Sequence, residues 1–252
     1  MNKFLLLVLI AGCAQQKPPV PTRDFDREAH ALLQGLGPGT GCRNDRDCAE
    51  GQVQAACTLG TCFGLLTTDE RPTRALLTDR LAHADVRVLR AAVPMLLGVL
   101  GADTTTTGQK LGSIEALAEV GRQAPNDEIT LTLRLFSANH DEGLASAARL
   151  ALGRMGDQTV QAALLQDLTL GTELLRAEAA RALKPLAAAP EVRAGLVASL
   201  RDPSPIVQMA ALIALDGQTR NAEVAAGLKA LAVATPSLRY EAERAQLEGQ
   251  RK

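Results

Sequence analysis

The sequence predicts an all-α protein in which about five pairs of helices stack side by side as an α-solenoid. Apolar residues make up 46% of the 252 residues, and most of them are Ala and Leu, which favour helices. Aromatic residues make up only 2%, too few for a β-sandwich, a sugar-binding cleft or a base-stacking surface. The third observation is a sequence repeat of 31 or 32 residues that begins near residue 112.

The repeat is clearest in one column of alanines, whose successive spacings are 32, 31, 32 and 31 residues. Mostly hydrophobic residues stand four positions before and four positions after each alanine, which places all three positions on one helix face. The small alanine side chain suits a place where two helices approach closely. The alanines of this column are Ala116, Ala148, Ala179, Ala211 and Ala242.

Helix starts and stops fall between these positions, so each period holds two helices. In the two clearest units we expect helices over residues 191–201, 206–215, 222–233 and 238–248. Capping residues followed by Pro, in residues 202–205 and at Thr235-Pro236, mark helix starts. Gly156 and Gly217 mark turns.

The N-terminal part of the repeat region is less regular. We expect a helix over residues 73–81 and another that begins near Asp85, but the alanine spacing then falls to 24 residues. The threonine run 104–107 is a poor helix former, which indicates that one helix is lost or shortened. Pro94 is expected to kink its helix, and Pro185 is expected to end or kink a later one.

Two stretches resemble the HEAT-like repeat family, including its short phycobilisome-lyase type. Residues 148–160 are similar to the family pattern A-x-x-A-L-G-x-[hydrophobic]-G-D-x-x-V, and residues 202–215 are similar to D-x-x-x-x-V-R-x-x-A-x-x-A-L. The resemblance implies a right-handed solenoid over residues 71–252 and a scaffold shared by many binding proteins. Gln208 stands where the family usually has the Arg of its buried Asp–Arg ladder.

The first residues have the features of an export signal. Lys3 precedes an apolar run over residues 4–10, which is shorter than the roughly 20 residues that a membrane-spanning helix needs. The stretch 9–13, Leu-Ile-Ala-Gly-Cys, resembles the lipobox of bacterial lipoproteins. The resemblance implies that residues 1–12 are removed and that Cys13 becomes a lipidated N-terminus. A plain signal peptide that contains a cysteine is the alternative.

The residue after the lipobox cysteine bears on the destination of the protein. In lipoproteins of two-membraned bacteria, a residue other than Asp there implies sorting to the outer membrane, and this position is Ala14. We therefore expect a lipid-anchored protein of the bacterial envelope that faces the periplasm. Residues 13–23 contain three prolines and are expected to form an extended tether.

Four further cysteines lie within 21 residues of each other, in the order C-x5-C-x8-C-x4-C: Cys42, Cys48, Cys57 and Cys62. In an exported protein this even count predicts two disulfide bonds. Their local pattern is similar to small cysteine-rich modules of secreted bacterial proteins. Zinc sites usually have C-x2-4-C spacing and redox pairs C-x-x-C, but both remain alternatives.

Three disulfide pairings are possible, and we favour Cys42 with Cys57 and Cys48 with Cys62. A short helix is expected over residues 24–36. We expect this helix and the cysteine segment, together residues 24–70, to cover the first helix pair of the solenoid. Such a cap is needed because the end units of a solenoid have no neighbour on one side.

The sequence contains none of the motifs expected of a common enzyme site. His30, His83 and His140 fall in separate segments, and neither H-E-x-x-H nor G-x-S-x-G occurs. The formal net charge of −1, without a dominant basic stripe, disfavours nucleic acid as a partner. We therefore expect no enzyme activity, cofactor, metal site or small-molecule substrate.

The expected function is binding of a protein or peptide of the cell envelope along the solenoid. Side chains next to the hydrophobic column could bind carboxylates or peptide backbone. The candidate binding residues are Arg176, Lys184, Gln208, Arg239 and Glu243. A structural subunit of a larger envelope assembly, with no exchangeable ligand, is the alternative, and an envelope enzyme is kept as a third.

Overall fold

The computed structural model describes residues 24–33, 56–58, 61–63 and 71–251. The predictions for the signal segment, Cys13, the tether, Cys42 and Cys48 lie outside these residues. The described part is all-α apart from one short hairpin, as the sequence predicts. Its helices are α1 (Phe25–Leu33), α2 (Arg71–Ala82), α3 (Val86–Gly101), α4 (Thr107–Gln123), α5 (Asp127–Phe136), α6 (Glu142–Arg154), α7 (Gln161–Leu170), α8 (Glu173–Ala182), α9 (Pro190–Ser199), α10 (Pro205–Ala214), α11 (Ala222–Ala234) and α12 (Arg239–Arg251). Short 3-10 helices span Gln158–Val160, Lys184–Leu186 and Pro236–Leu238.

The hairpin consists of strands β1 (Ala56–Thr58) and β2 (Thr61–Phe63), which pair antiparallel. Its backbone register places Cys57 opposite Cys62. Positions that lie directly opposite in an antiparallel pair have Cα atoms about 4.5–5.5 Å apart, within the range that a disulfide spans. The favoured pairings, Cys42 with Cys57 and Cys48 with Cys62, stay predictions.

The predicted helix boundaries in the C-terminal half agree with α9 to α12 to within three residues at each end. The expected cap before α10 is present: Ser204 Oγ accepts a hydrogen bond from the Ile206 N–H at 3.2 Å, and Pro205 opens the helix. At the second expected cap, Thr235 precedes Pro236 at the start of a 3-10 helix, but its side chain caps no backbone N–H and donates to Gln208 instead. Gly156 and Gly217 both have a φ of 83°, a left-handed conformation that favours glycine. The turn prediction for these two residues is therefore confirmed.

Pro94 lies inside helix α3, which continues to Gly101, and the expected kink at this proline stays a prediction. The threonine run then provides the cap of α4, because Thr106 Oγ1 accepts from the Gln109 N–H and the Gln109 side chain accepts from the Thr106 N–H. Pro185 lies after the end of α8, in a 3-10 helix, so the prediction that it ends a helix is confirmed.

The helices pack in two rows. In one row α4, α6, α8 and α10 contact each other in succession, and in the other α7, α9 and α11 do so. Across the rows α5 packs on α6, α7 on α8, α9 on α10 and α11 on α12. At the N-terminal end, α2 and α3 pack on α4, while α1 and β1 pack on α3.

The alanine column lies in the core between these helices. Each of its five members has 0% of its surface exposed. Four residues further on, Val120, Leu152, Leu183 and Leu215 are also fully buried, so the predicted helix face is the buried one. Among the described helices, none combines the length and apolar character that a membrane crossing requires.

Candidate protein-binding groove

A groove of about 410 Å³ crosses the row formed by α4, α6, α8 and α10. It runs over the second half of α4 and the last turns of the other three helices, and its surface is mainly apolar. This volume is in the range of pockets that bind ligands. The groove is lined by Thr78 of α2, by Glu115, Ala118, Glu119 and Arg122 of α4, by Arg154 of α6, by Arg181 of α8, by Lys184 and Pro185 after α8, and by Ile213 of α10.

Two arginines of the groove share one carboxylate. Arg154 Nη2 donates to Glu178 Oε2 at 2.6 Å, and Arg181 Nη1 donates to Glu178 Oε1 at 2.6 Å. Both arginines stand in the last turn of their helices, where a cation is favoured by the helix dipole. Lys184 Nζ lies 3.7 Å from Asp216 Oδ2, which is longer than a hydrogen bond. This end of the groove is therefore rich in cations.

The α4 side of the groove contains a closed ion pair. Arg122 donates to both carboxylate oxygens of Glu119, and this hydrogen bonding raises the pKa of Arg122. The Glu119 side chain is 13% exposed and that of Arg122 is 53% exposed, so the carboxylate lies beneath its cation. Glu119 also accepts a hydrogen bond from Gln123 Nε2 at 2.7 Å.

Of the five predicted binding residues, Lys184 alone belongs to the described residues that line the groove. Arg176 instead joins two helix pairs: its Nε and Nη2 donate to the Asp202 carboxylate at 2.8 and 2.9 Å, and its Nη1 donates to the Gly171 carbonyl. Its side chain is half-buried by these contacts. The sequence placed Arg176 on a binding face, whereas the structure places it at a junction.

Gln208 also lies between helices, and it is 9% exposed. Its Nε2 donates to the Asp202 carbonyl at 2.7 Å, and its Oε1 accepts from Thr235 Oγ1 at 3.0 Å. Arg239 donates through Nε to the Ala232 carbonyl. Glu243 is exposed on α12. The structure therefore does not bring the five residues together into one site.

Ion pairs join successive helix pairs in both rows. The Arg176–Asp202 pair connects α8 to the turn before α10, and hydrogen bonds from Arg176 hold the pKa of Asp202 below its usual value. In the other row Arg134 of α5 donates to Asp157 at 2.8 and 3.2 Å. Burial acts to raise the pKa of Asp157, but hydrogen bonds from Arg134 and Thr159 outweigh it and lower that pKa. These pairs are junctions rather than ligand sites.

The described residues offer no cluster of three or more His, Cys, Asp or Glu side chains that could hold a metal ion. His83 follows α2, and its Nδ1 lies 2.8 Å from the Asp79 carbonyl oxygen. His140 is exposed in the turn before α6, and the side chain of His30 lies outside the described part. Neither His83 nor His140 is among the described residues that line the groove.

Most groove residues were not predicted from the sequence, although their positions in the repeat carry a signal. Ala118, Arg181 and Ile213 each stand two positions after a column alanine. Four residues after Ala118, on the same face of α4, Arg122 also lines the groove, and four residues after Arg181 so does Pro185, which lies in the 3-10 helix after α8. Six of the described lining residues thus stand two or six positions after one of the alanines from Ala116 to Ala211: Ala118, Arg122, Arg154, Arg181, Pro185 and Ile213.

No family model, curated protein or solved structure matches this chain.

Proposed function

We propose that this chain is a lipid-anchored envelope protein whose helix pairs form a right-handed HEAT-like solenoid that binds another protein or peptide in its groove. The binding proposal rests on one observation. Successive helices of one row contribute equivalent positions to a continuous, mainly apolar groove. Solenoids bind partners through extended surfaces of this kind.

The solenoid is supported by three features of the described residues. The helices form two rows, and within each row every helix contacts the next. The alanine column of the repeat is fully buried, and ion pairs at the junctions between helix pairs occur in both rows. The resemblance of residues 148–160 and 202–215 to HEAT-like repeats agrees with this arrangement.

The N-terminal region provides the proposed anchor and cap. Lipidation of Cys13 would hold the chain on the outer membrane facing the periplasm, because two or three acyl chains bind far more firmly than one. In the cap, α1 and β1 both pack on α3, and Ala29 and Leu33 are fully buried there. These contacts support a covering of the first helices by the N-terminal region.

A fixed place in a larger envelope assembly is the second candidate. It is favoured by exposed leucines of α5 and α7, outside the groove: Leu131 is 61% exposed, Leu135 69% and Leu170 75%. Leu131 and Leu135 stand four residues apart on one face of α5, and contiguous exposed apolar surface is typical of sites that contact other proteins. An assembly subunit would use such a surface permanently.

Crosslinking in native membranes, followed by mass spectrometry, tests the groove. The test variant is Ile213→Arg, which places a charge in the apolar part of the groove. The matched control is Ile206→Arg, because Ile206 also lies on α10 and is exposed to a similar degree, 53% against 43%, but does not line the groove. Melting curves of both variants show that the fold is retained.

The proposal predicts that crosslinked neighbours are lost in Ile213→Arg and retained in Ile206→Arg. Several substoichiometric neighbours indicate the scaffold function, and one stoichiometric neighbour indicates the assembly subunit. Retention of every neighbour in Ile213→Arg would contradict binding in the groove.

A further inference from the structure

Charge is distributed unevenly along the groove. At the end formed by α6, α8 and the 3-10 helix after α8, Arg154 and Arg181 lie on the single carboxylate of Glu178. The side chains of the two arginines are 35% and 40% exposed, while that of Glu178 is 28% exposed. Two arginines thus share the single carboxylate of Glu178, and Glu178 is the most buried of these three side chains.

The arginines of this cluster retain hydrogen-bonding capacity. A guanidinium has five N–H donors, and the bond to Glu178 uses one from Arg154 and one from Arg181. Lys184 follows Arg181 by three residues, its side chain is 47% exposed, and its contact with Asp216 is longer than a hydrogen bond. A second carboxylate can therefore bind here without displacing Glu178.

An apolar surface lies beside this cluster. Ile213 of α10 is 43% exposed and lines the same groove as Pro185 and Ala118. An aliphatic side chain that packs on this surface would remove apolar area from water. A ligand with a carboxylate next to an aliphatic group therefore matches both parts of the groove.

Building on the function proposed above, we propose that the groove recognises an extended peptide segment that carries a carboxylate next to an aliphatic residue. The carboxylate binds to Arg154, Arg181 and Lys184, and the aliphatic side chain packs on Ile213 and Pro185. A continuous polyanion gains less on the α4 side, because Arg122 is already paired with Glu119 there. A peptide with isolated acidic residues matches a groove whose cation cluster lies at one end.

Fluorescence anisotropy with the full mature protein tests this chemistry. The probe is a fluorescein-labelled octapeptide of alternating leucine and glutamate. The comparison is the same peptide with lysine in place of glutamate, which represents basic peptide ligands. The test variant is Arg181→Gln with Lys184→Gln, which leaves Arg154 to pair with Glu178. The control is Arg244→Gln, because Arg244 has the same i,i+3 pairing with Glu241 at 2.8 Å but lies on α12, outside the groove.

The expected result is binding of the glutamate peptide, weakened about tenfold or more in the double variant, as expected for the loss of charge-assisted contacts. Binding is unchanged in Arg244→Gln and weakens with added salt. Equal or tighter binding of the lysine peptide, wild-type affinity in the double variant, or no binding of the glutamate peptide would each overturn the inference.

The two proposals fail separately. If neighbours depend on Ile213 in the membrane but the glutamate peptide is not preferred, the groove binds a partner of other chemistry and the inference alone fails. If the neighbours are retained in Ile213→Arg, the proposed function fails whatever the peptides show.

Discussion

A methyl group added at Gly153 is expected to overfill the contact between α6 and its neighbours. A Cβ atom at this position would lie 2.4 Å from Leu164 Cδ1 and 3.0 Å from the Ala182 carbonyl oxygen. Leu164 of α7 and Ala182 of α8 both have 0% of their surface exposed, so neither can move aside into solvent. The substitution Gly153→Ala must therefore shift packed atoms of two helices.

The magnitude follows from two opposing effects. Overpacking of a core contact costs about 1–3 kcal/mol. Replacing Gly by Ala in a helix interior returns at most about 1 kcal/mol, and less at Gly153, which is the second-last residue of α6. We expect the free energy of unfolding to fall by about 1–2 kcal/mol, which lowers the melting temperature of a chain of this length by about 2–8 °C.

Thermal unfolding followed by circular dichroism measures this change. The control is Gly101→Ala at the end of α3, because a Cβ there would meet nothing within 4 Å. Its melting temperature should stay the same or rise. If Gly153→Ala melts at or above the wild-type temperature, the packing of α6 against α7 and α8 is not as tight as described.

Three further predictions concern acid stability, the anchor and the cysteines. Because the pKa of Asp202 is lower in the folded chain than its ordinary value of 3.8, its pair with Arg176 stabilises the fold above that pH, and this stabilisation is lost as the pH falls through the folded pKa. Asp202→Asn should therefore have a lower free energy of unfolding than wild type at pH 6, and it should lose less of that free energy between pH 6 and pH 2. Denaturant titrations at the two pH values measure both quantities, and equal losses in the two proteins would refute this. Cys13→Ser should move the protein from the membrane fraction to the soluble fraction, and persistence in the membrane would refute lipid anchoring. The mature protein should react with a thiol reagent at four cysteines after reduction and at none before it, whereas free thiols before reduction would contradict two disulfides.

The repeat made most of the fold predictable. An alanine recurs at the equivalent position of five successive units, because close helix packing requires a small side chain there. All five alanines lie in the core. One cap and two turns were also predictable, since the Ser204 hydroxyl can accept a backbone N–H at a helix start, and Gly156, like Gly217, lacks the Cβ that disfavours a positive φ.

The candidate site was harder to predict because it depends on contacts that are distant in sequence. Arg176 resembles a surface cation until the turn at Asp202 is placed against it, 26 residues later. The groove positions two residues after the column alanines hold Ala118, Arg181 and Ile213, which share no chemistry. A pattern of residue types therefore could not identify the groove, whereas the helix register and the packing together do.

Photo-crosslinking from within the groove tests the central claim most directly. A benzoyl-phenylalanine introduced at Ile213 in the cell should capture an envelope protein, and the same residue at Ile206 on the same helix should not. We expect a discrete crosslinked band for Ile213, and we expect the Arg181→Gln, Lys184→Gln double substitution to weaken it. Equal capture from both positions, or capture from Ile206 alone, would contradict it.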